Sequence, residues 1–187
     1  QTTGSRIART TDIDVAAYLE AWVDTYGRPT AKVMLNGTGP FSFMVDTGST
    51  TSVIAQRHVA TLVAPIVGKA IVSGTTGVVE APLAMLESVE AGAVRKQDLR
   101  VAVLPDANIP QMDGILGADV FAARRLIFDI QKKTVKIEGS QRAARTSDRP
   151  NMRVRNGLLA EIDGRVGTVR TKLMLDTGAE RCIMNTQ

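Results

Sequence analysis

Two short runs of residues carry the same chemistry: Asp46-Thr47-Gly48 and Asp176-Thr177-Gly178. Each follows an apolar stretch, Phe43-Met44-Val45 in one case and Leu173-Met174-Leu175 in the other. Two carboxyl groups brought together cannot both ionise easily, so the pair keeps one proton near its working pH. Such a pair holds a base that activates water and an acid that protonates a carbonyl oxygen and then a leaving nitrogen. That is the equipment for amide hydrolysis with no covalent intermediate. A single Asp-Thr-Gly is weak evidence, since the triplet also occurs in ordinary turns.

The neighbours of each aspartate have tasks of their own. Thr47 and Thr177 can hydrogen-bond across a twofold interface and lock two loops together. Gly48 and Gly178 lack a Cβ, so backbone amides can approach the carboxylates. Ser49 can donate to the Asp46 carboxylate, whereas its counterpart Ala179 cannot. This difference predicts that Asp46 ionises more readily than Asp176.

The elements that must position these loops show as an internal repeat. An offset of 130 places Asp46 on Asp176, Met44 on Met174, Val45 on Leu175, Ser52 on Cys182, Val53 on Ile183 and Ile54 on Met184. Upstream, Met34-Leu35-Asn36-Gly37 resembles Glu161-Ile162-Asp163-Gly164, which predicts a second hairpin three residues longer than the first. The first copy runs on to about Ile137. Only 11 positions follow Asp176, so the second copy is expected to break off early.

The 187 residues are 44% hydrophobic and 4% aromatic, so the core must be built mainly from Val, Ile, Leu, Met and Ala. Short apolar runs punctuated by Gly and Pro predict strands, with turns at Gly27-Arg28-Pro29, at Asn36-Gly37 and near Gly39-Pro40. Strands are expected at 70–72, 78–81, 84–89, 99–104, 126–130 and 134–137. Short helices are expected within 52–63 and at 118–124. The fold class is all-β: a closed barrel with one or two short helices, then the start of a second, similar lobe. Residues 1–17 form a loose lead-in, 18–138 a complete lobe, 139–156 a linker and 157–187 a partial second lobe. The linker holds Arg142, Arg145, Arg149, Arg153 and Arg155. It reads as a solvated strip, with proteolytic cleavage or docking as the sharper alternatives.

A third element follows the first motif. In Asp113-Gly114-Ile115-Leu116-Gly117 two apolar residues precede a glycine. With both Asp-Thr-Gly triplets, this segment makes the chain resemble the pepsin and retropepsin families of aspartic proteases, in particular bacterial retropepsin-like proteins with two repeats in one chain. The resemblance covers about residues 18–138 and, in part, 157–187. It implies that Asp46 and Asp176 are the catalytic pair. It implies that Ile115, Leu116 and Gly117 thread beside the catalytic loop, with Thr47, Gly48, Ser49, Thr177, Gly178 and Ala179 supporting it. It also implies a glycine-rich flap over the substrate, for which Ser73-Gly74-Thr75-Thr76-Gly77 is the candidate; the plainer reading is a surface hairpin. Pepsin-type disulfides and a flap tyrosine are missing: the chain has one cysteine, and its tyrosines are Tyr18 and Tyr26.

The implied function is an aspartic endopeptidase acting on protein or peptide segments, with no cofactor and no metal. Two alternatives stand beside it. One is a protease-like module that binds peptides without cutting them. The other is a homodimer in which Asp46 pairs with its own symmetry mate, in place of a pseudo-twofold monomer. The resemblance, with the lack of an initiator Met, points to a periplasmic or secreted bacterial protein. His58 has no matching nucleophile and reads as structural or exposed. Cys182 reads as a small core residue. Gly37-Thr38-Gly39 is a turn, not a phosphate loop. The net charge of +4 is scattered and not interleaved with aromatics, so no nucleic-acid partner is expected. No apolar run is long enough to span a membrane.

Overall fold

The chain alternates strands with tight turns because its apolar residues come in short runs that only a layered sheet can bury. A computed structural model describes residues 17–24, 26–74, 77–92, 94–122, 124–129, 131–132, 134–139, 152–155 and 158–184. Ten strands form one sheet: β1 (Ala17–Val23), β2 (Pro29–Leu35), β3 (Thr38–Val45), β4 (Val53–Ala55), β5 (Ile66–Gly74), β6 (Gly77–Ala91), β7 (Val94–Leu104), β8 (Gly114–Leu116), β9 (Arg124–Asp129) and β10 (Thr134–Gly139). Their order is β5-β6-β7-β4-β8-β3-β2-β1-β10-β9. A further pairing of β2 with β6, Leu35 opposite Val89, closes β2-β3-β8-β4-β7-β6 into a ring. This ring is the expected closed barrel. Its interior holds Val33, Leu35, Phe43, Val45, Ile54, Leu86, Val101 and Leu116, all nearly inaccessible to solvent.

Turn chemistry sets the hairpin leading to Asp46. Asn36 and Gly37 both have positive φ, 48° and 72°, which suits a two-residue turn between twisted strands. β3 then pairs in parallel with β8, Val45 opposite Leu116. β4 lies antiparallel on the other side of β8 and parallel to β7. The short β8 thus passes between two strands of the ring. Gly114 makes that passage feasible, because a Cβ there would overlap the Phe43 ring and the Val53 carbonyl.

Several sequence expectations change. Among the described residues there is no α-helix. The 52–63 patch divides into β4, a 3-10 turn at Gln56–His58 and further turns. Val53, Ile54 and Ala55 are all buried, and only a strand between β7 and β8 satisfies their backbone there. The 118–124 stretch is a turn held by bonds three residues back, such as Val120 N–H to Gly117 O, and β9 already starts at Arg124. A second 3-10 turn covers Asp106–Asn108. The separate strands expected at 78–81 and 84–89 are one strand, β6, running through Pro82.

The second copy forms its own sheet from β11 (Met152–Arg155), β12 (Leu159–Val166) and β13 (Val169–Met174), in the order β11-β12-β13. The expected linker therefore includes a strand, because Met152 and Val154 alternate with Arg153 and Arg155 and pair with β12. Residues 140–151 of that linker, and 1–16 of the lead-in, lie outside the described residues. The second hairpin turns at Gly167-Thr168 rather than at Asp163-Gly164. Gly167 takes the positive φ, 60°, while Gly164 lies within β12 opposite Thr171. From first turn residue to aspartate is 46 − 36 = 10 positions in the first copy and 176 − 167 = 9 in the second. The three-residue insertion does not exist.

Burial separates the copies more than sequence does. Val45 and Ile54 are 0% exposed, but their repeat mates Leu175 and Met184 are 46% and 61% exposed. Gly114→Ala should destabilise the first lobe by about 2–4 kcal/mol, because its new methyl group meets backbone as well as a ring. Chemical denaturation measures this; an unchanged midpoint would show that β8 is not threaded as described.

Candidate active site

Each aspartate sits where its hairpin's return strand ends, one residue past β3 for Asp46 and two past β13 for Asp176. The Asp46 amide is fixed by donating to Leu116 O at 2.9 Å. Its carboxylate Oδ1 accepts from Gly48 N at 2.8 Å. In the other loop Asp176 Oδ1 accepts from Gly178 N at 2.8 Å and Ala179 N at 3.1 Å.

The loops meet through their threonines. Thr47 N donates to Thr177 Oγ1 at 3.1 Å, and Thr177 N to Thr47 Oγ1 at 3.2 Å. Each hydroxyl then donates onward across the junction, Thr47 Oγ1 to Leu175 O and Thr177 Oγ1 to Val45 O, both at 2.7 Å. The pattern has local twofold symmetry, although the sheets behind it differ. Arg28 adds a lateral tie at 3.6 Å to Glu180.

This crossing sets the carboxyls face to face. A Cβ on Gly48 would lie 2.5 Å from Asp176 Cγ, and a Cβ on Gly178 would lie 2.5 Å from Asp46 Cγ. Only glycine fits at either place. Burial, and then the Asp176 charge, push the Asp46 carboxyl up to about 6, against the pull of the Gly48 and Ser49 amides; a hydrogen bond to Asp176 adds to the rise.

The expected role of Ser49 is overturned. Its hydroxyl donates to Thr51 O at 2.8 Å, within its own loop, and leaves the Asp46 carboxylate alone. Burial and the Asp176 charge, not the Ser49 hydroxyl, push Asp46 toward holding a proton. Cys182 is also corrected: it is exposed, as are its neighbours Ile183 and Met184.

Ile115, Leu116 and Gly117 stand beside the Asp46 loop. A Cβ on Gly117 would lie 2.9 Å from the Thr51 carbonyl carbon and 3.0 Å from Ser49 O. Ser73, Gly74 and Gly77 close the β5–β6 hairpin, with Ser73 opposite Val78 and Gly74 opposite Gly77. Thr75 and Thr76 lie outside the described residues.

Sequence reasoning missed the polar supports. Asp113 Oδ2 accepts from Ser42 N at 2.8 Å, and its Oδ1 lies 2.7 Å from His58 Nε2 and 3.2 Å from Arg57 Nη2. These contacts anchor the start of β8, and they explain the lone histidine as structural. Ser52 and Asp119 form a second support. Asp113 heads the 113–117 segment, but that pattern of two apolar residues before a glycine gives its carboxylate no role, and only the place of each acid beside a buried turn points to it. Among the described residues no group of three or more His, Cys, Asp or Glu side chains is placed to hold a metal ion.

Residues 31–120 match the family model described as aspartyl protease. The match covers 90 of the 187 residues. The matched segment contains Asp46, β8 and all of the closed ring except the first two residues of β2, and it ends before the second motif. A retropepsin-like aspartic protease from Rickettsia conorii is similar in structure, with 16% identity and a TM-score of 0.48 over 66% of this chain and 90% of that one. No curated protein matches the chain.

The threonine crossing has a direct test in hydrogen exchange. Thr177→Val removes the acceptor of the Thr47 amide and should speed its exchange by about tenfold, the worth of one ordinary hydrogen bond. Thr47→Val should do the same to the Thr177 amide. Unchanged exchange would mean that the loops do not touch in solution.

Proposed function

We propose that this chain is an aspartic endopeptidase whose Asp46 and Asp176 carboxyls, within one molecule, share a proton and a water molecule. The observation that carries this reading is the facing of the two carboxyls across the crossed threonine bonds, each against the other loop's glycine. Aspartic proteases are the well-known case of such a pair.

The chemistry follows from the single proton. With one carboxyl ionised and one protonated, the carboxylate takes a proton from the water as its oxygen attacks the scissile carbonyl carbon. The protonated carboxyl gives its proton to the carbonyl oxygen. As the resulting diol collapses, the C–N bond breaks, the nitrogen leaves with a proton from one carboxyl, and the other carboxyl takes a proton from a diol hydroxyl. The proton count returns to one. Above about pH 6 the pair loses that proton, so activity falls as pH rises through this value.

Substrate features fit an extended peptide. β5 is one of the two edge strands of the sheet, so its free side can pair with an added strand. The hairpin end at Ser73, Gly74 and Gly77 is the flap in this reading. Next to the Asp46 loop, a groove places Leu83, Met85 and Leu99 beside the charged Asp98, Arg100 and Asp119, so it offers both apolar and charged contacts to a substrate's side chains.

A second reading has one observation in its favour. Leu175 and Met184 are exposed where their repeat mates are buried, which suits a module that binds without turnover. The homodimer reading is weaker, since Thr47 already has its partners in Thr177 and Leu175 of the same chain.

Cleavage of a peptide library across pH separates these. Asp46→Asn and Asp176→Asn should each lower kcat by about a thousandfold or more, and the wild type should lose activity above about pH 6. Activity that survives Asp176→Asn would point to the homodimer. Peptide binding by the wild type with no cleavage at any pH would establish the binding module.

A further inference from the structure

Ser52 is the one buried polar side chain among the described residues, at 1% exposure. Its hydroxyl donates to Asp119 Oδ1 at 2.7 Å and accepts from Gly117 N at 3.0 Å. Its amide donates to Asp119 Oδ2 at 2.8 Å, and its carbonyl accepts from Ala102 N at 2.9 Å. Asp119 Oδ1 also takes Val120 N–H at 3.0 Å. Ala118 N donates to Ser49 O at 2.8 Å, beside the same turn. Three donors thus converge on one carboxylate, and every polar atom of Ser52 is used.

Position gives this knot its meaning. Asp46, where the loop starts, is held by Leu116 O. Ser52, where it ends, is held by the amide of the next residue, Gly117. Both ends of the 46–52 loop are therefore fastened to one dipeptide at the end of β8. Thr47 and Gly48, which meet the other loop, lie between the two fastenings. At the second aspartate the corresponding residue is Cys182, which is exposed, so only the Asp46 loop is clamped this way.

We infer that Ser52 and Asp119 are positioning residues, a hydrogen-bonded clamp on the exit of the Asp46 loop that sets how closely the Asp46 and Asp176 carboxyls approach. The inference rests on the aspartate-pair reading above. Releasing the clamp lets the loop drift and admits water, which weakens both the burial and the like-charge contact that hold a proton on the pair. Packing alone would have a different signature. Ser52→Cys keeps nearly the same volume but replaces a strong hydroxyl with a weak donor and acceptor. Asp119→Asn sets an amide donor where a carboxylate oxygen received one.

The experiment is a carbon-13 titration of the Asp46 carboxyl in the full chain, for wild type, Ser52→Cys and Asp119→Asn. Wild type should titrate near 6. Each variant should bind that proton about tenfold more weakly, and kcat on a cleaved peptide should fall about tenfold with KM unchanged. A raised wild-type midpoint that neither variant moves would overturn the clamp and leave the pair intact. An ordinary carboxylate midpoint in the wild type would overturn the pair, and the clamp with it.

Discussion

Two carboxyl groups held close together resist ionising together, and this structure spends its most regular hydrogen bonding on keeping them close. The amides and hydroxyls of Thr47 and Thr177 make four bonds across the junction, two between the threonines and two to Val45 O and Leu175 O. None of these bonds involves a carboxylate. The threonines fix the backbones, and the backbones fix where the aspartates point. Glycine at 48 and 178 then removes the only atoms that would keep the carboxyls apart. Loops free to relax would separate the charges; loops tied at their centres cannot.

The ring of six strands gives those ties something rigid to pull against. β8 is only three residues long, yet it touches β3, β4 and, through Leu116 and Gly117, both ends of the Asp46 loop. Asp113 fastens its start to Ser42, His58 and Arg57. Buried polar groups are costly unless fully bonded, and Ser52 is fully bonded. Its presence in an otherwise apolar interior reads as a device for fixing the loop's shape rather than for adding stability.

Much of this was legible in the chain, and the failures have physical causes. The Asp-Thr-Gly triplets, the Ile115-Leu116-Gly117 segment and the Asn36-Gly37 turn are local signals, and the turn lies where expected. Val53-Ile54-Ala55 misled because a short apolar run fits helix or buried strand equally, and only its neighbours β7 and β8 decide. The second turn was misplaced because Asp163-Gly164 looks like turn chemistry, whereas Gly167 carries the positive φ. Ser49 was misjudged because a hydroxyl near a carboxylate in sequence need not face it; Thr51 O was nearer. Ser52 with Asp119 is a contact across 67 residues, for which local patterning has no signal.

The two copies use one motif under unequal conditions. The first is embedded in a closed ring, and the second stands on a three-stranded sheet with exposed apolar positions. Whether they nevertheless make one site turns on a single coupling, that between Asp46 and Asp176. Titration of the Asp46 carboxyl in wild type and in Asp176→Asn measures it directly. The midpoint should fall from about 6 toward the ordinary carboxylate range, though not all the way, because burial remains when the second charge is gone. A midpoint that does not move would mean that the two aspartates do not share a site.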